Sequence, residues 1–387
     1  MLHNSGNGQL GDRENERPLS GRQGDKGTGS GVLGRRNRNE GDEEEDNLSL
    51  GPRKRPSRQD PLVHYGRHFG RSIHVFCKPF PLITEGLGRT LQLQAGFVGG
   101  LEEFSEQERM EHQIFLKLMK LCPGLESRIQ KVSEQELHYI TDLLNKGSSS
   151  ARSADTRALK SAVIDWITPP GGALSLPLSR NVKTDWGFFH YTTGRLLCPA
   201  TLDWSDEDTR KGLRNGDIAV SGDSWPIFLY NDHVFNPENP WEGLLQGKLL
   251  VTAFKCIFTS PSSAEKEPRA TRSGNAKLHG MKTVTVASIA YVSTLVRFAL
   301  NSSAIFSRND KSTDSERFYR SIMDFLESPS ECEEVEGLIR WWNMYAFLIC
   351  DENRGLTDIY PDRFSRPIAI LLASQMLVAQ FRPSWTS

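Results

Sequence analysis

The sequence predicts a mainly α fold: a single irregular multi-helix domain around a buried central helix, with a long aromatic-rich loop region and a disordered N-terminal tail. Three observations predict it. The stretch 283–302 (TVTVASIAYVSTLVRFALNS) is apolar on nearly every side, which suits a helix enclosed by others. Ser105 with Glu108, and Ser133 with Glu136, are capping boxes ahead of apolar residues at helical spacing. Pro-Pro-Gly-Gly at 169–172 is strong punctuation between such segments.

In 283–302, Val284, Ala287, Tyr291, Leu295 and Phe298 share one stripe, and Ile289, Val292, Val296 and Leu300 cover much of the rest. A bilayer span is disfavoured by Arg297, because an arginine near a spanning centre costs roughly 2.5–3.5 kcal/mol even on the milder scale. Arg297 is therefore expected inside the protein, paired with an acid from 185–208 or with Glu316, since a buried guanidinium is costly alone.

Taken in order, residues 1–61 hold almost no large apolar side chain and are expected to stay disordered. They carry an acidic block, 40–46, and the basic PRKRPSR at 52–58, a pattern that an import receptor reads. The region 64–91 reads as helical but interrupted by Pro79 and Pro81. Helices are expected over 105–121, from 133 to a stop at Gly147, and over 153–167. The segment 168–240 turns to Pro, Gly, Asp and aromatics, including Trp186, Phe188, Phe189, Trp204, Trp225, Phe228, Tyr230 and Phe235. It reads as a packed cover with one short helix, 205–213, capped by Ser205 and Asp208. Pro240 then opens a helix over 241–258. Two more helices follow the central one, at 314–326 and 330–345. The run IAILLASQMLVAQF near the C-terminus is too short to span a bilayer comfortably. The expected organisation is a tail, 1–61, a helical domain, 62–345, and an atypical C-terminal tail, 346–387.

The totals constrain function by exclusion. Lys plus Arg number 47 against 48 Asp plus Glu, a net charge of -1, so no global bias toward nucleic acid or membrane exists. The six cysteines are dispersed without a CxxC pair, which favours buried thiols in a reducing, intracellular compartment over a zinc site or disulfide framework. No apolar leader opens the chain. A nuclear location is one reading of the basic block.

The segments KSAVIDWITP (160–169), DWGFFHYTTGRLLCPATLDW (185–204), GDSWPIFLY (222–230), NPWEGLLQGKLLV (239–251), the run 258–281 and SERFYRSIMDFLE (315–327) resemble a family of unknown function expanded in mushroom-forming basidiomycete fungi. The resemblance spans about 64–345, with 258–281 its most specific part. It implies a fungal origin and a link to genome expansion or mobile elements. It brings no catalytic residues. The Lys78-Pro79-Phe80-Pro81 interruption and the chain after Trp342 depart from it.

The best candidate binding surface is the basic loop 259–282, with Lys266, Arg269, Arg272, Ser273, Asn275, Lys277 and His279. Ser273-Gly274-Asn275 has the composition of an anion-binding nest. The bland alternative is an ordered connector whose charges pair internally. Asp203, Asp206, Glu207 and Asp208, with Asp185 and Asp223, suggest either a hard-cation site or acids complementing a helix N-terminus. His64 and His68 share a helix face, but no metal-protease motif accompanies them, and a solvated or capping role is expected. Cys198 lacks an identifiable base. The reading is a non-enzymatic interaction module with no metal or cofactor, whose unidentified partner is a protein or a nucleic acid. Nucleic-acid binding linked to a mobile element and a metal-dependent nuclease or hydrolase are the alternatives.

Overall fold

The structure, a computed structural model, describes residues 60–259, 274–308 and 314–348. The N-terminal tail up to residue 59 and the C-terminal stretch from 349 lie outside the described residues. Among the described residues there are twelve α-helices and no strand. Two isolated bridges, Pro199 with Pro226 and Tyr230 with Leu244, tie the loop region together.

Helix α1 (Pro61–Ser72) begins where Asp60 accepts the Leu62 amide at 2.9 Å, with Pro61 in the first turn. Helix α2 (Pro79–Gln94) opens on Pro79, so that proline starts a helix where its missing amide costs nothing. Helix α3 (Glu106–Leu121) has the expected capping box: the Ser105 amide donates to the Glu108 carboxylate at 2.9 Å, and the Glu108 amide donates to the Ser105 hydroxyl at 3.3 Å. A short α4 (Leu125–Ile129) follows.

Helix α5 (Glu134–Ile167) corrects the sequence reading. It is one helix of 34 residues, and Gly147 stops nothing. A Cβ at Gly147 would lie 2.3 Å from the Val63 carbonyl oxygen and 2.9 Å from the Arg67 nitrogen, and one at Gly66 would lie 2.9 Å from the Leu144 Cα. These glycines let α1 and α5 touch backbone to backbone.

The loop region carries α6 (Tyr191–Leu197) and α7 (Glu207–Asn215). The cap of α7 is Asp206, which accepts the Thr209 amide at 2.8 Å; Ser205 and Asp208 do not cap it. The expected 241–258 helix is also corrected: α8 is Lys248–Phe254, continued by a π turn over Lys255–Thr259. Residues 241–246 form turns in which Leu245 has φ 55° and is fully buried. Two hydrogen bonds hold that strain, Trp342 Nε1–H to the Leu245 carbonyl at 3.1 Å and the Asn231 amide to the Gly243 carbonyl at 2.8 Å. Leu244 and Leu245 enter the core, as their apolar character demands, without being helical.

The remaining helices are α9 (Asn275–Leu278), α10 (Val286–Leu300), α11 (Ser315–Leu326) and α12 (Cys332–Asn343). Helix α10 is the central one, and every residue from Ala287 to Leu300 is buried. Around it lies the larger core, from α8, α11, α12, the C-terminal half of α5 and the aromatics Trp186, Phe228, Tyr230 and Trp342. A smaller core joins α1 to α4 with the N-terminal half of α5, through Phe69, Ile83, Phe115, Leu118, Ile140 and Leu144. Helix α5 therefore belongs to both.

A buried polar network locks α1, α5 and α10 together. Arg71 donates from Nε and Nη2 to the two Asp155 oxygens, each at 2.7 Å, and the Tyr291 hydroxyl donates to Asp155 at 2.7 Å. Burial pulls the Arg71 pKa down, but the bond to Asp155 and its charge more than offset it, and the guanidinium is held above its ordinary value. Burial and then the Asp155 charge push Tyr291 well above the usual phenol range. The network is sealed from solvent and serves as a charged rivet rather than a reactive centre.

Candidate functional site

Of the loop residues singled out in the sequence, Lys266, Arg269, Arg272 and Ser273 lie outside the described residues. The other three divide. Asn275 donates through Nδ2 to the Ile257 carbonyl. Lys277 is exposed. His279 turns inward and stacks on two rings of α1, with centroids 3.9 Å from His64 and 4.5 Å from His68. His68 is thus a buried packing residue, not a solvated or capping one. The three stacked rings make no chelate, and among the described residues no group of three or more His, Cys, Asp or Glu could hold a metal ion.

Four of the six acidic candidates are occupied locally. Asp203 accepts the Ser205 amide and hydroxyl, Asp206 caps α7, Glu207 pairs with Lys211 at 2.9 Å, and Asp223 pairs with Arg317 at 3.0 Å. Burial pushes the Cys198 thiol up to about 11, far from a thiolate nucleophile. Arg297 is buried, with its guanidinium 4.6 Å from the centre of the Phe318 ring and Nη2 donating to the Ser221 carbonyl at 3.2 Å. Glu316 is bonded by Arg308 and Arg320.

The histidines set a pH dependence. Burial, then neighbouring charges, lowers His68 and His74 to about 4. Half-buried His279 is lowered to about 3 by burial, with His68, His64, Arg71 and Arg67 adding. The unfolded chain takes up these protons near the ordinary value of 6.5, whereas the folded chain refuses them. Their stabilising contribution is therefore complete above pH 6.5 and is lost as pH falls toward 4. At about 1.36 kcal/mol per unit, buried His68 and partly buried His74 account for roughly a few kcal/mol. The expected result is a urea midpoint that drops steadily from pH 6.5 to pH 4, with a shallower slope in His68→Phe. Equal slopes in the two proteins would refute the assignment.

The site that the structure does assemble lies on α5, at positions not singled out from sequence. Between Asp142 and Asp165 the helix carries Lys146, Arg152, Arg157 and Lys160, and its one carboxylate there, Asp155, is consumed by Arg71 and Tyr291. Lys146, Ser153, Arg157 and Lys160 follow one helical face for about 21 Å at 1.5 Å per residue. At the C-terminal end of this face is a cleft of about 320 Å³. One wall is Arg152, Ser153, Thr156, Arg157 and Lys160; the other is apolar, Phe298, Ala304, Ile305 and Phe306. The Arg152 guanidinium is 5.5 Å from the centre of the Phe306 ring, and Ile305 is 81% exposed at the rim. Among the described residues, Arg152, Arg157 and Lys160 form no ion pair. Burial holds Arg152 below the usual arginine value, opposed by Tyr291 and assisted by the nearby Arg308. Such a wall presents forked guanidinium donors, an ammonium and the Ser153 hydroxyl to one volume, which is the donor set that anionic oxygens require; the Thr156 hydroxyl donates to the Arg152 carbonyl instead.

Residues 146–347 match the family described as "Family of unknown function (DUF6698)". The chain belongs to this family. The DUF6698 segment covers just over half of the chain, narrower than the 64–345 span of the resemblance seen in the sequence. It begins inside α5, at Lys146, and ends in the π turn after α12. The whole α5 wall of the cleft and its apolar wall fall within it. No curated protein and no solved structure matches the chain.

The signal that sequence reading missed was the near-absence of carboxylates between residues 142 and 165. Splitting the helix at Gly147 hid it, because Lys146 and Arg157 then belonged to different elements.

Proposed function

We propose that the protein is a non-enzymatic interaction module that holds an anionic partner against the cationic face of α5. The observation that carries this reading is the set of three cations, Arg152, Arg157 and Lys160, facing one cleft without a carboxylate partner among the described residues. Like charges so placed repel one another, and an anion in the cleft relieves that repulsion. The apolar wall offers no side-chain hydrogen-bonding group that competes for the bound oxygens.

The test is binding of inorganic pyrophosphate to the full chain and to an Arg157→Glu/Lys160→Glu variant. The expected loss is at least tenfold, or about 1.4 kcal/mol, with an unchanged unfolding midpoint because Arg157 is exposed and Lys160 partly so. Binding of the wild type should weaken as salt rises. Equal affinities for the two proteins would overturn the reading.

A nucleic-acid strand is the second reading, favoured by the length of the cationic track on α5. The fungal, mobile-element setting of the sequence resemblance and import through residues 53–55 belong with it. The overall charge of -1 weighs against a broad nucleic-acid surface.

A further inference from the structure

Lys183 does not line the cleft but touches Phe298, which does. It is 2% exposed. Its ammonium nitrogen donates to the Phe298 carbonyl at 2.6 Å and sits 4.3 Å from the centre of the Phe298 ring, the ring that lines the cleft. The centre of the Trp186 ring lies 5.4 Å from the same nitrogen. Among the described residues no carboxylate pairs with it. The charged group that faces it is Lys160 of α5, itself a cleft residue. A buried lysine without a carboxylate partner is costly to charge, and only the Phe298 carbonyl and the faces of Phe298 and Trp186 offset that cost.

We propose that the cleft selects a doubly charged phosphomonoester over singly charged anions, and that Lys183 confers the preference by taking up a proton as the ligand binds. The proposal rests on the anion-binding reading above. Burial, and then Lys160, brings the Lys183 pKa down to about 7. Near neutrality the residue therefore passes easily between neutral and charged forms. An anion beside Lys160 offsets the repulsion between the two lysines and favours the charged form. A phosphomonoester has its second pKa near about 6 and carries roughly two charges at pH 7 and above. A phosphodiester or a carboxylate carries one and offsets half as much.

The charge balance is simple. A dianion enters, one proton moves from solvent to Lys183 Nζ, and no covalent bond changes. Above pH 7 the proton must be drawn from an increasingly poor supply. Below about pH 6 the ligand loses its second charge. Affinity should therefore peak between these two values.

The experiment uses the full chain with phenyl phosphate and its singly charged methyl ester, methyl phenyl phosphate, as a matched pair. Calorimetry at pH 7.5 in two buffers of different ionisation enthalpy reads proton uptake directly. The expected results are net uptake with phenyl phosphate and a preference of about tenfold or more over the methyl ester, equal to about 1.4 kcal/mol. In Lys183→Met the methyl ester should still bind, the preference should shrink to what the three wall cations give alone, and the proton uptake should disappear. Phenyl phosphate binding without proton uptake, or with the same affinity as the ester, overturns this proposal and leaves the anion-binding reading standing. Binding of mixed-sequence single-stranded DNA without phenyl phosphate binding overturns it in favour of nucleic acid. Absence of binding by every probe overturns both readings. If Lys183→Met does not fold, the wild-type proton uptake and pH optimum decide alone.

Discussion

Gly147→Ala is expected to destabilise the protein by more than about 3 kcal/mol, although the same substitution in an open helix gains about 1 kcal/mol. The added Cβ would lie 2.3 Å from the Val63 carbonyl oxygen and 2.9 Å from the Gly66 Cα. Both are backbone atoms of α1, so no side chain can swing aside. Helix α1 would have to withdraw, opening the smaller core at Phe69 and Leu144 and stretching the Arg71–Asp155 bridge. Gly88 supplies the control, since it sits within α2 with nothing within 4 Å of the added atom. Gly88→Ala should raise stability by roughly 0.5–1 kcal/mol. Chemical denaturation of the two variants side by side decides the matter, and a neutral or stabilising Gly147→Ala would mean that the helices are not in backbone contact.

Asp155→Ala should cost about 3–5 kcal/mol, because it strands the Arg71 guanidinium, 3% exposed, without its counter-charge. It also removes the acceptor of the Tyr291 hydroxyl, leaving a second polar group buried and unsatisfied. The loss is thus larger than the net worth of the bridge. Replacing all three partners together, Arg71→Met with Asp155→Leu and Tyr291→Phe, should recover most of the stability, since an apolar cluster of similar volume has no charge to desolvate. A thermal unfolding midpoint for Asp155→Ala within error of wild type would show that water or another group reaches Arg71.

The parts of this fold that were legible in the sequence are those decided by local chemistry. Helix α10 was legible because fourteen successive buried positions leave no polar stripe, and α3 because Ser105 and Glu108 satisfy each other's amides within one turn. The parts that were not legible depend on partners distant in sequence. Gly147 reads as a stop signal until Val63 and Gly66 are seen pressed against it. The 241–246 segment reads as helix because Leu244 and Leu245 fit an apolar period, yet Leu245 has a positive φ that Trp342 and Asn231 hold from outside. The same limit applied to the site. His279 looked like a surface cation beside Lys277, but its stacking on His64 and His68 can be read only once α9 lies on α1. The cationic face of α5 was present in the composition, and it became visible only when the helix proved continuous.

The rivet joining α1, α5 and α10 has a consequence for how the chain matures on the ribosome. Thr285 and Ser72, which bond across the same junction at 2.8 Å, are 213 residues apart, so at about 5–20 residues per second one partner waits roughly 10–40 seconds for the other. Asp155 follows Arg71 by 84 residues and Tyr291 follows Asp155 by 136, so for more than half of that interval the Arg71–Asp155 pair exists without the helix that covers it. Slower translation between these points would lengthen the time for which the apolar surface that α10 covers is exposed.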